Sequence, residues 1–241
     1  SQLGSVSGTW ELEDGTLMLD ITSTFTGGGS YSYTAECEKI GVSLEAGSIV
    51  TFGHYDQDND PVNGAEEIEW IALGVENGLV TLMSRYALDA RAFNGIGMSV
   101  TWDSCSIRKW LNGDFLNTAF SDAERAAIQT VTVTADRNPW FPDMDPGEDT
   151  QDAVYLLSID EALRYFGALH IQPAFPTETA IANGIYVSRT SGEEGQTIWW
   201  LRTPGAYSDS AAYIVSNNRL IDDGNDVSKS NYGVRPVVNV K

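Results

Sequence analysis

The chain has 241 residues, 42% of them apolar, with 34 acidic against 14 basic side chains and a formal net charge of −20. That length allows one large domain with a small appendage and a substantial core. The negative field repels phosphate backbones, which excludes nucleic acid and anionic membranes as partners, and no run approaches the ~18 consecutive apolar residues of an inserted helix.

The chain opens at Ser1 with no initiator Met and no charged-then-apolar leader, which reads as a mature or trimmed protein. Residues 1–40 read as a short β segment. "SGTWELEDGTLMLDI" alternates around Asp14-Gly15, a hairpin signal, and "YSYTAECEKI" alternates again after the flexible "TGGGS". Two or three short strands do not make a stable domain alone, so this segment is an appendage or the remnant of a preceding domain.

A second unit is expected over residues 41–241. "SIVTFGHY" (Ser48 to Tyr55) reads as a strand, and "IEWIALGVENGLVTLMSRYAL" as a hairpin turning at Glu76-Asn77-Gly78. A helix with Ser104 as N-cap then carries Ile107, Trp110, Leu111 and Phe115 on one stripe. "SDAE" (Ser121 to Glu124) is a capping box opening a short helix through Ile128. "VTVT" at Val131 reads as a strand, and Ala135 to Asp152 as a long Pro-, Asp- and Gly-rich loop. "VYLLS" is a strand, and "SIDE" (Ser158 to Glu161) a second capping box whose helix stops at Gly167. "TIWWLRT", "AAYIVS" and "YGVRPVVNV" are the last three strands, so the fold class is α+β.

The ordered motifs "TFGHYDQDND", "IEWIAL", "LMSRYALD", "RKWLNGDFLNTAFS", "LLSIDEA", "WWLRTPG" and "GVRPVVNV" span Gly41 to Lys241. They resemble an uncharacterised bacterial surface-protein domain family. That family is similar in turn to the C-type-lectin-like fold of formylglycine-generating enzymes and of diversity-generating retroelement variable proteins. The resemblance implies a C-type-lectin-like fold with paired terminal strands, here Ile49 to Gly53 against Val234 to Val240, and long loops on one face. It also implies a secreted or surface-anchored location, with ligand recognition in the last third of the domain.

Each candidate residue has a plain structural reading beside the functional one. Trp199 and Trp200 are neighbours on a strand and face opposite sides, so one is core and the other core or stacking surface. Arg202 and Arg235 lie inside strand motifs, where arginine is satisfied by carbonyls or a carboxylate. Between the strand motifs lie Tyr207, Asp209, Tyr213, Asn217, Asn218, Arg219, Asp222, Asp223 and Tyr232. Rigid aromatics with adaptable polar groups are the composition of a recognition surface, and also of an ordinary solvated loop. Asp56, Asp58 and Asp60 have the spacing that opens many calcium loops, but Pro61 stands where an EF-hand needs glycine; a polar turn fits the same residues.

The two histidines, His54 and His170, sit in no catalytic motif, and no GxSxG, HExxH or phosphate loop occurs. The formylglycine-generating relatives use a cysteine pair near the C-terminal end. This chain has only Cys37 and Cys105, which could pair with each other in an oxidising compartment. The leading expectation is a non-enzymatic module binding a protein or glycan ligand, without cofactor unless calcium occupies the Asp56 loop. A glycosidase or distant oxidase-like enzyme and a structural spacer are the alternatives.

Overall fold

Side chains that alternate between two faces make strands, and the order in which those strands pair decides what the alternation buries. The computed structural model describes the backbone at residues 2–13, 16–27, 31–36, 40–169 and 173–241, and side chains at 44–167 and 173–241. The Asp14-Gly15 turn, residues 28–30 of the glycine run, Cys37 with any pairing it makes, and His170 fall outside the described residues. The mixture of sheets and short helices is α+β.

The N-terminal strands β1 (Gln2–Glu13), β2 (Thr16–Gly27), β3 (Tyr31–Glu36) and β4 (Ile40–Ser43) form a four-stranded antiparallel sheet in which β2 pairs with all three others. β1 and β2 have twelve residues each, longer than the alternation suggests.

A second sheet begins with β5 (Ile49–Tyr55), β6 (Glu66–Glu76) and β7 (Leu79–Ser84). Asn77 and Gly78 join β6 to β7 with φ of 54° and 75°, the two positive angles that a type I′ turn requires. After β8 (Asp89–Ala90), a continuous helical stretch runs through α1 (Ser106–Trp110), a π-helical turn (Leu111–Phe115) and α2 (Leu116–Ala119). Its N-cap is Cys105, not Ser104, because the Ser104 hydroxyl is engaged with Thr101. The capping box is present on α3 (Asp122–Ala127), with Ser121 and Glu124 bonding reciprocally. β9 (Val131–Val133) pairs with β10 (Thr150–Asp152) across the long loop, and β11 (Val154–Tyr155) follows. α4 (Ile159–Leu169) has the second box, Glu161 N–H to Ser158 Oγ at 3.2 Å and Ser158 N–H to Glu161 at 2.9 Å. Gly167 lies inside that helix and does not stop it. α5 (Glu178–Ala182), β12 (Trp199–Pro204), β13 (Ser210–Ile214), β14 (Leu220–Asp226), β15 (Gly233–Val234) and β16 (Val237–Val240) complete the chain.

The second sheet has the order β11-β16-β7-β6-β5 and the third β14-β13-β12-β15-β8. This corrects the expected pairing of Ile49 to Gly53 with Val234 to Val240. The Asn-Gly turn holds β6 beside β7, so β5 takes the outer edge of β6 and β16 the outer edge of β7; the two terminal strands share a sheet without pairing. Nor is Val234 to Val240 one strand. Pro236 has no N–H to donate, and the chain switches sheets there, β15 joining the third and β16 the second.

The main apolar core joins the second and third sheets, drawing on Ile68, Trp70, Phe93, Ile107, Phe115, Trp199, Trp200 and Val237. Both faces of β12 are covered. Trp199 meets Phe166 at 5.7 Å, and Trp200 meets Phe93 at 5.9 Å on the other side. Trp70 is also fully buried, whereas Trp110 is half-buried under the Arg91 guanidinium, 3.9 Å from the ring.

Candidate functional site

The expected recognition residues lie on a hairpin and its flanks, not on free loops, because β13 and β14 occupy most of residues 205–232. They separate into two groups. Asn217, Asn218 and Arg219 form the tight turn between β13 and β14, where Asn217 Nδ2 donates to Glu193 at 3.0 Å. Tyr207 and Asp209 lie at the other end, where Ser210 faces Asp226, and Asp222 and Asp223 lie mid-strand, with the Asp223 carbonyl accepting from Ala206 N–H. Four strand steps, about 13 Å, separate the ends.

The tyrosines divide as well. Tyr232 is buried, stacked on Trp200 with centroids 4.0 Å apart, and its hydroxyl accepts from Asn225 Nδ2 at 2.8 Å. Burial pushes its phenol above the usual value of 10. Tyr213 is half-buried, edge-on to both Trp200 and Tyr232. Tyr207 alone of the three stands out, 70% exposed on the turn after Pro204-Gly205.

Beside Tyr207 three segments converge: residues 95–104 before α1, residues 135–149 between β9 and β10, and residues 204–209 after β12. Asn138, buried, clamps two of them by donating to the Pro204 and Asp222 carbonyls, both at 2.8 Å. Val100 N–H reaches the Ser208 carbonyl at 3.0 Å, and Ala206 N–H the Asp223 carbonyl at 2.8 Å. Between the segments lies a pocket of about 150 Å³, lined by Ser99, Val100, Thr101 and Ser104, by Met144 and Asp145, and by Pro204 and Ser208.

The long loop is fitted closely to this pocket. Gly147 has φ of 83°, and a Cβ there would lie 2.3 Å from Asp103 Oδ1 and 2.6 Å from Thr101 Cβ. Its N–H donates to Asp145 Oδ1 at 3.1 Å, while the Thr101 hydroxyl donates to Asp103 Oδ1. Ile96, Met98, Trp140 and Tyr207 are each more than half exposed. They lie close in the chain to the lining residues. Of these features only Tyr207 was picked out in the sequence. Trp140, an isolated tryptophan in a Pro- and Asp-rich loop, was the signal that could have led to the rest.

The acidic loop sits elsewhere. One carboxylate oxygen each from Asp56, Asp58 and Glu66 lies within 4.8 Å of the others. Asp60 is not in the group, since its Oδ1 accepts from Val62 N–H. Glu66 takes its place, accepting from Gln57 N–H at 2.7 Å, and Thr179 donates to Asp56 at 3.1 Å. Three carboxylates would supply part of the six to eight oxygens that calcium takes, and exposed acidic groups also cluster with no ion.

No helix among the described residues is long and apolar enough to cross a membrane. A family model described as a domain of unknown function (DUF6273) matches residues 77–241. Comparison with curated proteins and with solved structures finds no match to either.

Proposed function

The chain belongs to this family of unknown function, and from that premise we propose that it is a non-enzymatic binding module which recognises a protein or carbohydrate ligand at the pocket beside Tyr207. The observation that carries this reading is Tyr207 itself, 70% exposed and next in the chain to Ser208 of a pocket lined by hydroxyls, a carboxylate and the apolar Val100, Met144 and Pro204. A tyrosine left in water on a braced turn offers a large rigid surface with a polar tip, at small entropy cost on binding. Trp140 adds a second such surface on the neighbouring loop. The buried Tyr232 and the turn at Asn217 to Arg219 lie outside this face and serve the hairpin.

The same reading takes the domain as C-type-lectin-like, supported by β5 and β16 lying in one sheet and by three connecting segments gathered at one place. It takes residues 1–40 as an appendage and the protein as secreted or surface-anchored, both from the resemblance of its motifs. The experiment is a glycan and protein array probed with the full chain, with and without calcium, followed by the double variant Tyr207→Ala, Trp140→Ala. We expect about a tenfold or greater loss of affinity with the melting temperature unchanged. Unchanged affinity would move the site elsewhere. Calcium-dependent binding that is lost on Glu66→Gln would point to the Asp56 loop.

A further inference from the structure

We infer that the pocket takes a cationic side chain, lysine or arginine, presented by an extended segment of a partner protein. The inference rests on the binding reading above and names the chemistry of that site. One carboxylate, Asp145, lines the pocket, and a second, Asp103, lies against the turn that carries it. The Asp145–Gly147 turn packs directly on Asp103, as the 2.3 Å approach of a Gly147 Cβ to Asp103 Oδ1 shows. Each carboxylate has one oxygen tied within the chain, Asp103 Oδ1 to Thr101 and Asp145 Oδ1 to Gly147 N–H. Neither second oxygen receives a hydrogen bond, and neither residue joins an ion pair, among the described residues. Two carboxylates at one turn with no cationic partner among the described residues favour a cation from outside.

The surroundings deepen the same potential. Segments 95–104, 135–149, 205–209 and 222–229 carry ten carboxylates against two cationic side chains, Arg137 and Lys229. Arg137 is held by the Pro142 carbonyl at 2.9 Å. Anionic ligands are therefore disfavoured, and cationic ones are drawn in. A pocket of about 150 Å³ accepts one side chain, not an oligosaccharide. Met144 and Pro204 offer apolar wall to the methylene stem of lysine or arginine, while the hydroxyls of Ser99 and Ser208 accept from its head. The remainder of the ligand must lie outside it, and Ile96 and Met98, shortly before the lining Ser99 in the chain, are exposed, as are Trp140 and Tyr207. Exposed aliphatic and aromatic groups together suit the flanking side chains of a peptide better than the face of a sugar.

The test uses the immobilised full chain and short synthetic peptides with a central lysine or arginine between Leu and Tyr. Matched peptides carry N-acetyl-lysine or norleucine instead, and chitosan and chitin oligosaccharides form a separate arm. The variants are Asp145→Asn, which keeps the acceptor for Gly147 N–H, Asp103→Asn, and Tyr207→Ala with Trp140→Ala. We expect the basic peptides to bind, with about a tenfold loss on acetylation or on Asp145→Asn, and weakening in high salt. Equal binding of acetylated peptide, indifference to both Asn variants, or no peptide binding would overturn the inference. Chitosan bound through Asp145 with no peptide bound would overturn the peptide as its source. If the Asn variants are silent while the aromatic double variant abolishes binding of any probe, the binding face stands and its cation preference falls. If all variants are silent, both fall.

Discussion

Cys105 has no exposed surface, its Sγ lies 3.2 Å from the Trp102 carbonyl, and burial pushes its thiol up to about 12. The thiolate is the reactive form, so at mildly alkaline pH almost none is present, and no reagent reaches it without local opening. Peptide-resolved mass spectrometry after iodoacetamide treatment of the native protein should therefore find Cys105 unmodified on a timescale that labels it fully in denaturant. Comparable native and denatured rates would place it at the surface. The two buried arginines show how differently one residue type can be satisfied. Arg202 pairs with Glu161 and Asp136 and also donates to the Leu156 carbonyl. Arg235 has no carboxylate partner among the described residues, donates to the Ser84 and Arg85 carbonyls, and lies over the Trp199 ring at 4.9 Å. Burial pushes its guanidinium down to about 9, which leaves it charged at neutral pH.

At the scale of elements, α3 depends on Glu124. Burial raises its carboxyl, but the Ser121 hydroxyl, the Ser121 N–H and the Gly53 N–H outweigh that and hold it below 4.5. A folded value below the unfolded one contributes stability that is fully present above about pH 4.5 and is lost as pH falls through the folded value. Glu124→Gln should thus be less stable than the native protein at neutral pH, with the gap closing in acid; urea denaturation at both pH values measures it. A gap independent of pH would mean that the cap works without its charge. These caps, like the Asn77-Gly78 turn, were legible in the sequence because their partners lie within three or four residues. Long-range pairing was not. Nothing local tells β5 that its neighbour is β6 and not β16, and little marks β14, which after Leu220 and Ile221 reads Asp-Asp-Gly-Asn-Asp. The site was legible only at Tyr207. Tyr232 has the same chemistry, but stacking on Trp200, a contact spanning both sheet and loop, takes it inside. Asp103 and Asp145 are forty-two residues apart, and only the close approach at Gly147 unites them.

At the scale of the whole molecule, the residues shared with the family begin at Asn77, in the middle of the β6–β7 turn. A chain trimmed to residues 77–241 would keep β7 while discarding β5 and β6. It would lose the buried Ile68, Trp70 and Leu73, each worth roughly 2 kcal/mol or more of burial. It would also leave β7 with a bare row of amides and Val80, Leu82 and Met83 uncovered, which invites pairing with other copies. Expressed alone, such a fragment should collect in the insoluble fraction or elute as large species, while the longer chain beginning at Leu44 elutes as a discrete species and melts in one step. A monodisperse, cooperatively melting fragment from Asn77 would show that the central sheet can be halved. The matched stretch thus begins two strands inside the central sheet, and a fragment meant to fold should begin before β5.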